Sequence, residues 1–142
     1  MKIFNKQILS DYEGVKVIKM GITAPLIANK AKPGQFVVLM VSEEGERLPL
    51  TIAEKDIKKR TITLIFQEAG LTTKLLGRLS TGDSLYSLVG PLGNPTEIKK
   101  YGKVVVVGGG VGIAEIYPVV KALKSAGNHV STILGARTKA IL

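Results

Sequence analysis

Apolar and polar residues alternate, or run in short β-branched blocks, through the first two thirds of the chain. The stretches "KIFNKQIL" (2–9) and "GVKVIKMGI" (14–22) carry the two-residue period of strands, with the turn "SDYEG" between them. After "NKAKPG", "QFVVLMVS" (35–42) reads as a third strand, and "EEGE" turns the chain into "RLPLTIAE" (47–54). "DIKKR" leads into "TITLIFQE" (61–68), and "GDSLYSLVGPLG" (82–93) closes the set. Short strands at this spacing predict an antiparallel barrel or sandwich. One helix interrupts them over 71–79, with Leu75, Leu76 and Leu79 on one face. "NPTEIKKYG" (94–102) combines Pro, Gly and charge and is read as a joint between a barrel over 1–97 and a second unit over 98–142.

From Lys103 the pattern changes. "KVVVVG" is apolar throughout, as in a parallel strand covered on both faces. Residues 113–127, "IAEIYPVVKALKSAG", have the helical period and end at Gly127, a C-cap residue type, before the strand "HVSTILGA". Strand, glycine turn, helix and strand predict one βαβ unit with a right-handed crossover. The chain as a whole is therefore read as a β-barrel followed by the start of an α/β nucleotide-binding domain.

Composition narrows the function classes. The 142 residues contain no cysteine and one histidine, which excludes a disulfide framework, a cysteine nucleophile and a cysteine-ligated iron–sulfur cluster within them. His129 reads as a solvated turn residue. No run of about 18 apolar residues occurs, and the first ten residues lack the apolar core of a signal peptide. The expectation is a cytoplasmic protein without a membrane anchor. The net charge of +9 is spread over scattered lysines with only 5% aromatics, so it does not form a nucleic-acid surface and suits phosphate-rich cofactors or an acidic partner.

The candidate chemistry begins at the glycine turn. Gly108, Gly109, Gly110 and Gly112 lie where a strand turns into a helix, followed by Ile113 and Ala114. The backbone there can approach a ligand closely, and the helix N-terminus suits a pyrophosphate. The spacing GGGxG departs from the dinucleotide fingerprint GxGxxG in its later part. Gly135, Ala136 and Arg137 follow the second strand, at the edge that lines the ligand crevice of an open α/β sheet. Independently, Gly70, Thr72 and Thr73 open the barrel's helix, where a sharp turn, two hydroxyls and a helix N-terminus suit an anion. Thr72 also reads as a simple N-cap.

Taken in order from "PGQFV" (33–37) to "GART" (135–138), these motifs resemble the ferredoxin–NADP⁺ reductase superfamily over the whole chain. Within it the resemblance is to electron-transfer subunits of the dihydroorotate dehydrogenase and NADH-dependent reduced-ferredoxin:NADP⁺ oxidoreductase type. That resemblance implies an FAD-binding Greek-key barrel and an NAD(P)-binding domain. It also implies a [2Fe–2S] cluster in a C-terminal part that these residues lack, and a larger flavoprotein or iron–sulfur partner subunit, with ferredoxin as a further partner.

By resemblance, "RLPLT" (47–51) takes the place of the flavin strand motif Arg-x-Tyr-Ser. Thr51 then bonds the flavin edge and Leu50 gives an apolar contact in the Tyr place. Pro49 lies between, Leu48 holds the Arg position, and Arg47 stands one residue early. A one-residue shift in a strand reverses the face, so Arg47 needs a bulge or a turn at Pro49 to reach the FAD phosphates. Ile65, Phe66 and Gln67 match the segment flanking the ribityl and adenosine. The loop 70–73 matches the phosphate loop, and "GPLGNP" (90–95) matches the barrel-closing loop beside the flavin.

The resemblance implies a nucleotide domain of about five strands, of which the chain supplies two. The chain therefore reads as a fragment of an oxidoreductase subunit, inactive alone, and two strands with one helix predict self-association through 103–142. A stand-alone FAD-binding module without nicotinamide activity is the alternative, and a barrel-type interaction or nucleic-acid-binding domain is a third class, disfavoured by the dispersed charge. Nothing resembles a catalytic triad or a metal-ligand cluster, so no catalytic or metal-binding residue is expected.

Overall fold

The computed structural model describes residues 1–139. Eight strands and three helices follow in order: β1 (Ile3–Tyr12), β2 (Val15–Thr23), α1 (Pro25–Lys30), β3 (Phe36–Met40), β4 (Leu48–Asp56), β5 (Thr61–Gln67), α2 (Leu71–Arg78), β6 (Ser87–Leu92), β7 (Lys103–Gly109), α3 (Gly112–Ser125) and β8 (His129–Gly135). The first six strands form one antiparallel sheet in the order β1-β2-β5-β4-β3-β6. It closes where Ile3 N–H bonds the Asp83 carbonyl at 2.8 Å and Leu85 N–H bonds Met1 at 3.0 Å, beside the Lys2–Ser84 bridge. These contacts tie the sheet together at one corner, between the start of β1 and the segment before β6.

The core follows from the alternation. On β2, Ile18, Met20 and Ile22 are buried, and on β5 Ile62, Leu64 and Phe66 face them from the paired strand. Val37 and Leu39 of β3 complete the cluster with Leu76 of α2. Inward positions at period two place the intervening residues on the outer face. α2 seats Leu76 in the core with Leu79 packed beside it, whereas Leu75, read on the same face, is exposed. The short α1 was not legible in the apolar pattern. Its six residues hold one and a half turns, with Pro25 in the first turn, where a missing N–H costs nothing.

β7, α3 and β8 form the second sheet, with β7 and β8 parallel and in register from Lys103–His129 to Gly109–Gly135. α3 ends at Ala126 with Gly127 at φ +86° immediately after it, so the glycine supplies the left-handed residue that ends the helix. β7, read as covered on both faces, is covered by α3 on one. Val105 and Val107 on the other are 64% and 67% exposed.

Residues 94–102, read as a joint, are irregular and anchored at both ends. On the barrel side Thr96 N–H bonds the Pro33 carbonyl at 2.9 Å, and the Gln35 amide donates to Gly93 at 2.8 Å. On the other side the buried Asn128 amide makes four bonds. It accepts from Tyr101 and Gly102 N–H at 2.6 and 2.9 Å, and donates to the Lys99 and Leu123 carbonyls at 2.9 and 2.8 Å. Its neighbour His129 is exposed.

Candidate cofactor site

β4 supplies one wall. Leu48 and Leu50 pack against the barrel core, which by the strand period puts Pro49 and Thr51 on the outer face. The pairs from Leu39–Leu48 to Phe36–Thr51 run without a register shift. Arg47 is exposed and precedes the first residue of β4, so the strand period gives it no face, while Leu50, read as the flavin contact, leans on the core. On β5 the outer residues are Ile65 and Gln67, each partly exposed. Phe66, grouped with them in the sequence reading, is 2% exposed and belongs to the core.

The start of α2 differs from its sequence reading in two ways. Gly70 is extended, at φ −131° and ψ −179°, so no sharp turn demands glycine there. Instead, a Cβ at Gly70 would meet nothing within 4 Å, which leaves open space at the mouth of the helix. Gly70 is also the N-cap residue, so Thr72 is not. The Thr73 hydroxyl accepts from Gly70 N–H at 2.9 Å and donates to the Gly70 carbonyl at 3.0 Å. The Thr72 hydroxyl donates to the Glu46 carboxylate at 2.5 Å, beside Arg47.

At the end of β7 the glycines divide the work. A Cβ on the buried Gly108 would come within 2.5 Å of Ile116 Cδ1, so this glycine lets α3 lie close on the strand. Gly110 has φ +54° and needs a left-handed backbone. Its N–H is committed to the Gly135 carbonyl at 2.8 Å, which joins the glycine turn directly to the segment carrying Ala136 and Arg137. Gly109 and Gly112 have no heavy atom within 3.5 Å of the Cβ position, so the backbone there is approachable. Ile113 and Ala114 N–H turn back to Gly110 and Val111 within the first turn of α3, leaving the N–H groups before them directed out of the helix.

The outer face of the barrel and this glycine turn enclose a cleft of about 810 Å³. It brings together Ile65, Gln67, Gly110, Ala114 and Arg137, residues singled out in two separate parts of the sequence. Residues 47–51 and 70–73 do not line it; they lie elsewhere on the barrel. Tyr12, Lys19, Glu54 and Tyr117 are among the cleft residues that were not singled out. For Lys19 and Glu54 the signal was available, since both occupy outward positions of their strands. Lys19 Nζ meets Glu54 Oε2 at 3.2 Å across the intervening β5. Among the described residues no three His, Cys, Asp or Glu side chains gather to hold a metal, and no helix is long and apolar enough to cross a membrane.

No protein-family model matches the chain. It is 49% identical over 123 residues to the dihydroorotate dehydrogenase B (NAD⁺) electron-transfer subunit homolog of Thermotoga maritima, an alignment that covers 87% of this chain and 44% of that protein. A solved NADH-dependent reduced ferredoxin–NADP oxidoreductase, described for flavin-based electron bifurcation, superposes with a TM-score of 0.93 at 45% identity. That match spans 99% of this chain and 50% of the other. The ferredoxin–NADP⁺ reductase of Plasmodium falciparum shares the fold, with a TM-score of 0.79 at 16% identity over 99% of this chain and 60% of the other. The chain spans about half the length of the curated relatives it matches. The two sheets and the cleft between them are thus those of a homologue of the electron-transfer subunits of flavin-based oxidoreductases, built on the ferredoxin–NADP⁺ reductase fold.

Proposed function

We propose that this chain is the flavin- and nicotinamide-nucleotide-binding part of an electron-transfer subunit that works with a larger partner subunit. The observation that carries this reading is the cleft, in which Gly110, Ala114 and Arg137 face Ile65 and Gln67 of the barrel. A nicotinamide nucleotide at the glycine turn is then held against β5, the barrel strand next to β4, which carries Thr51.

The residues fit FAD. The open space at Gly70 accepts a phosphate that a Cβ would exclude, at the mouth of an eight-residue helix whose first N–H groups favour an anion. Arg47 adds an exposed guanidinium just before β4, and the Thr51 hydroxyl on that strand orients a ring edge. Bound flavin supplies the hydride and single-electron chemistry. The protein's part is positional: Thr51 fixes the ring, Arg47 and residues 70–73 hold the phosphates, and Gly109, Gly112 and Arg137 hold the nucleotide. A cysteine-ligated [2Fe–2S] cluster is not held by these 142 residues, which contain no cysteine.

The test is the colour of the purified protein and its reconstitution with FAD. Flavin absorbance bands with a stoichiometric fluorescence titration are expected. A colourless protein that does not take up FAD would remove the flavin reading.

A further inference from the structure

The cleft contains a feature that the glycine turn and the flavin strand do not explain. Much of its lining is apolar, with Leu9 and Val17 from the barrel and Ile113 from α3. Two tyrosines enter it, one from each side: Tyr12 at the end of β1, 37% exposed, and Tyr117 in the second turn of α3, 46% exposed. Among the described residues neither phenol has a hydrogen-bond partner, in contrast to Tyr101, which bonds the Glu97 carbonyl at 3.0 Å. Aromatic faces left open inside a concave apolar cleft mark a place for a flat ring rather than a folded core.

We propose that Tyr12 and Tyr117 form a stacking subsite for the planar heteroaromatic ring of a phosphorylated ligand whose phosphate lies at Gly112 and Arg137. The inference rests on the nucleotide-binding reading and adds to it the place of the ring and the residues that hold it. A phosphate at the start of α3 leaves its attached ring within the same cleft, where, among the described residues, the two tyrosines are the aromatic side chains of the lining. Stacking on an aromatic side chain is tolerant of ring identity, because every such ring has a π-face. The same subsite therefore takes adenine or isoalloxazine.

The chain suits a direct test, since it has four tyrosines and no tryptophan. The polypeptide is titrated with ADP, with FMN and with ribose 5-phosphate, and binding is followed by tyrosine emission and by calorimetry. Ring-bearing ligands should quench the emission and bind more tightly than ribose 5-phosphate. Tyr12→Leu and Tyr117→Leu should each weaken the ring-bearing ligands roughly five- to a hundredfold, with ribose 5-phosphate unaffected. Tyr86→Leu, outside the cleft, should bind as the parent does. Preference for ADP or for FMN identifies which ring the subsite favours. Equal binding of all ligands to the parent and both cleft variants would overturn the subsite while leaving nucleotide binding intact. Failure of the parent to bind any of the three would overturn both.

Discussion

The hydroxyl of Thr72 donates to the carboxylate of Glu46 at 2.5 Å, tying the first turn of α2 to the segment that leads into β4. This places an acid beside the loop proposed to hold flavin phosphates, one residue before Arg47. A glutamine at 46 keeps an acceptor for Thr72 and removes only the charge. Glu46→Gln should therefore tighten FAD by a factor of about two to five, the scale of an exposed charge interaction. The gain should shrink as salt rises. Fluorescence titration at two ionic strengths reads both effects, and weaker binding by the variant would show that Glu46 lies away from the phosphates.

Gly70→Val separates fold from ligand. The backbone there is extended and the Cβ position is empty, so the cost to stability is that of a poor N-cap, about 1 kcal/mol or less. FAD affinity should fall, because the side chain occupies the space left for a phosphate. Thermal denaturation and flavin occupancy together decide it; unchanged occupancy takes the loop out of the site.

Thr51→Ala removes one hydroxyl from the outer face of β4. A single hydrogen bond contributes about 0.5–1.5 kcal/mol net, so affinity should change little. The flavin's absorbance spectrum and reduction potential should shift more visibly, since the bond acts on the ring itself. A spectrum and potential identical to the parent's would move Thr51 away from the ring.

Phe66→Ala should behave as a core truncation. At 2% exposure its ring packs within the barrel, and its removal should cost about 3–5 kcal/mol in denaturant unfolding. Ile65→Ala, one residue earlier and facing the cleft, should cost far less in stability and more in ligand binding. A near-neutral Phe66→Ala would contradict the packing of β5.

These contrasts show where the sequence could be read. The strands were legible because Ile18, Met20 and Ile22 alternate with polar neighbours, and the glycine turn because Gly108 to Gly110 directly follow four valines. Resemblance named the stretch 65–67 as one unit, but a strand sends neighbours to opposite faces, so Phe66 went to the core while Ile65 and Gln67 reached the cleft. Tyr12 and Tyr117 were invisible because their partnership is tertiary: 105 positions apart, they line one cleft only once α3 lies on the barrel. Asn128 was passed over beside His129, since a buried amide with four partners has no periodic signature.

That asparagine bears on how wide the cleft stands. Its amide fastens Lys99, Tyr101 and Gly102 to the end of α3, and Thr96 is fastened to Pro33 on the barrel. Between these moorings lie only Glu97 and Ile98. A connector of nine residues is thereby reduced to a short pivot of two, while α3 also packs directly on β4, so the walls are held at two places. The Glu97 carboxylate, 3.2 Å from the Lys99 ammonium, and the Glu97 carbonyl, bonded by the Tyr101 phenol, brace that pivot from the α3 side. Tyr12 and Tyr117 come from the two walls held in this way, one from the barrel and one from α3. A flat ligand then meets a gap framed by tied walls rather than by a loose tether.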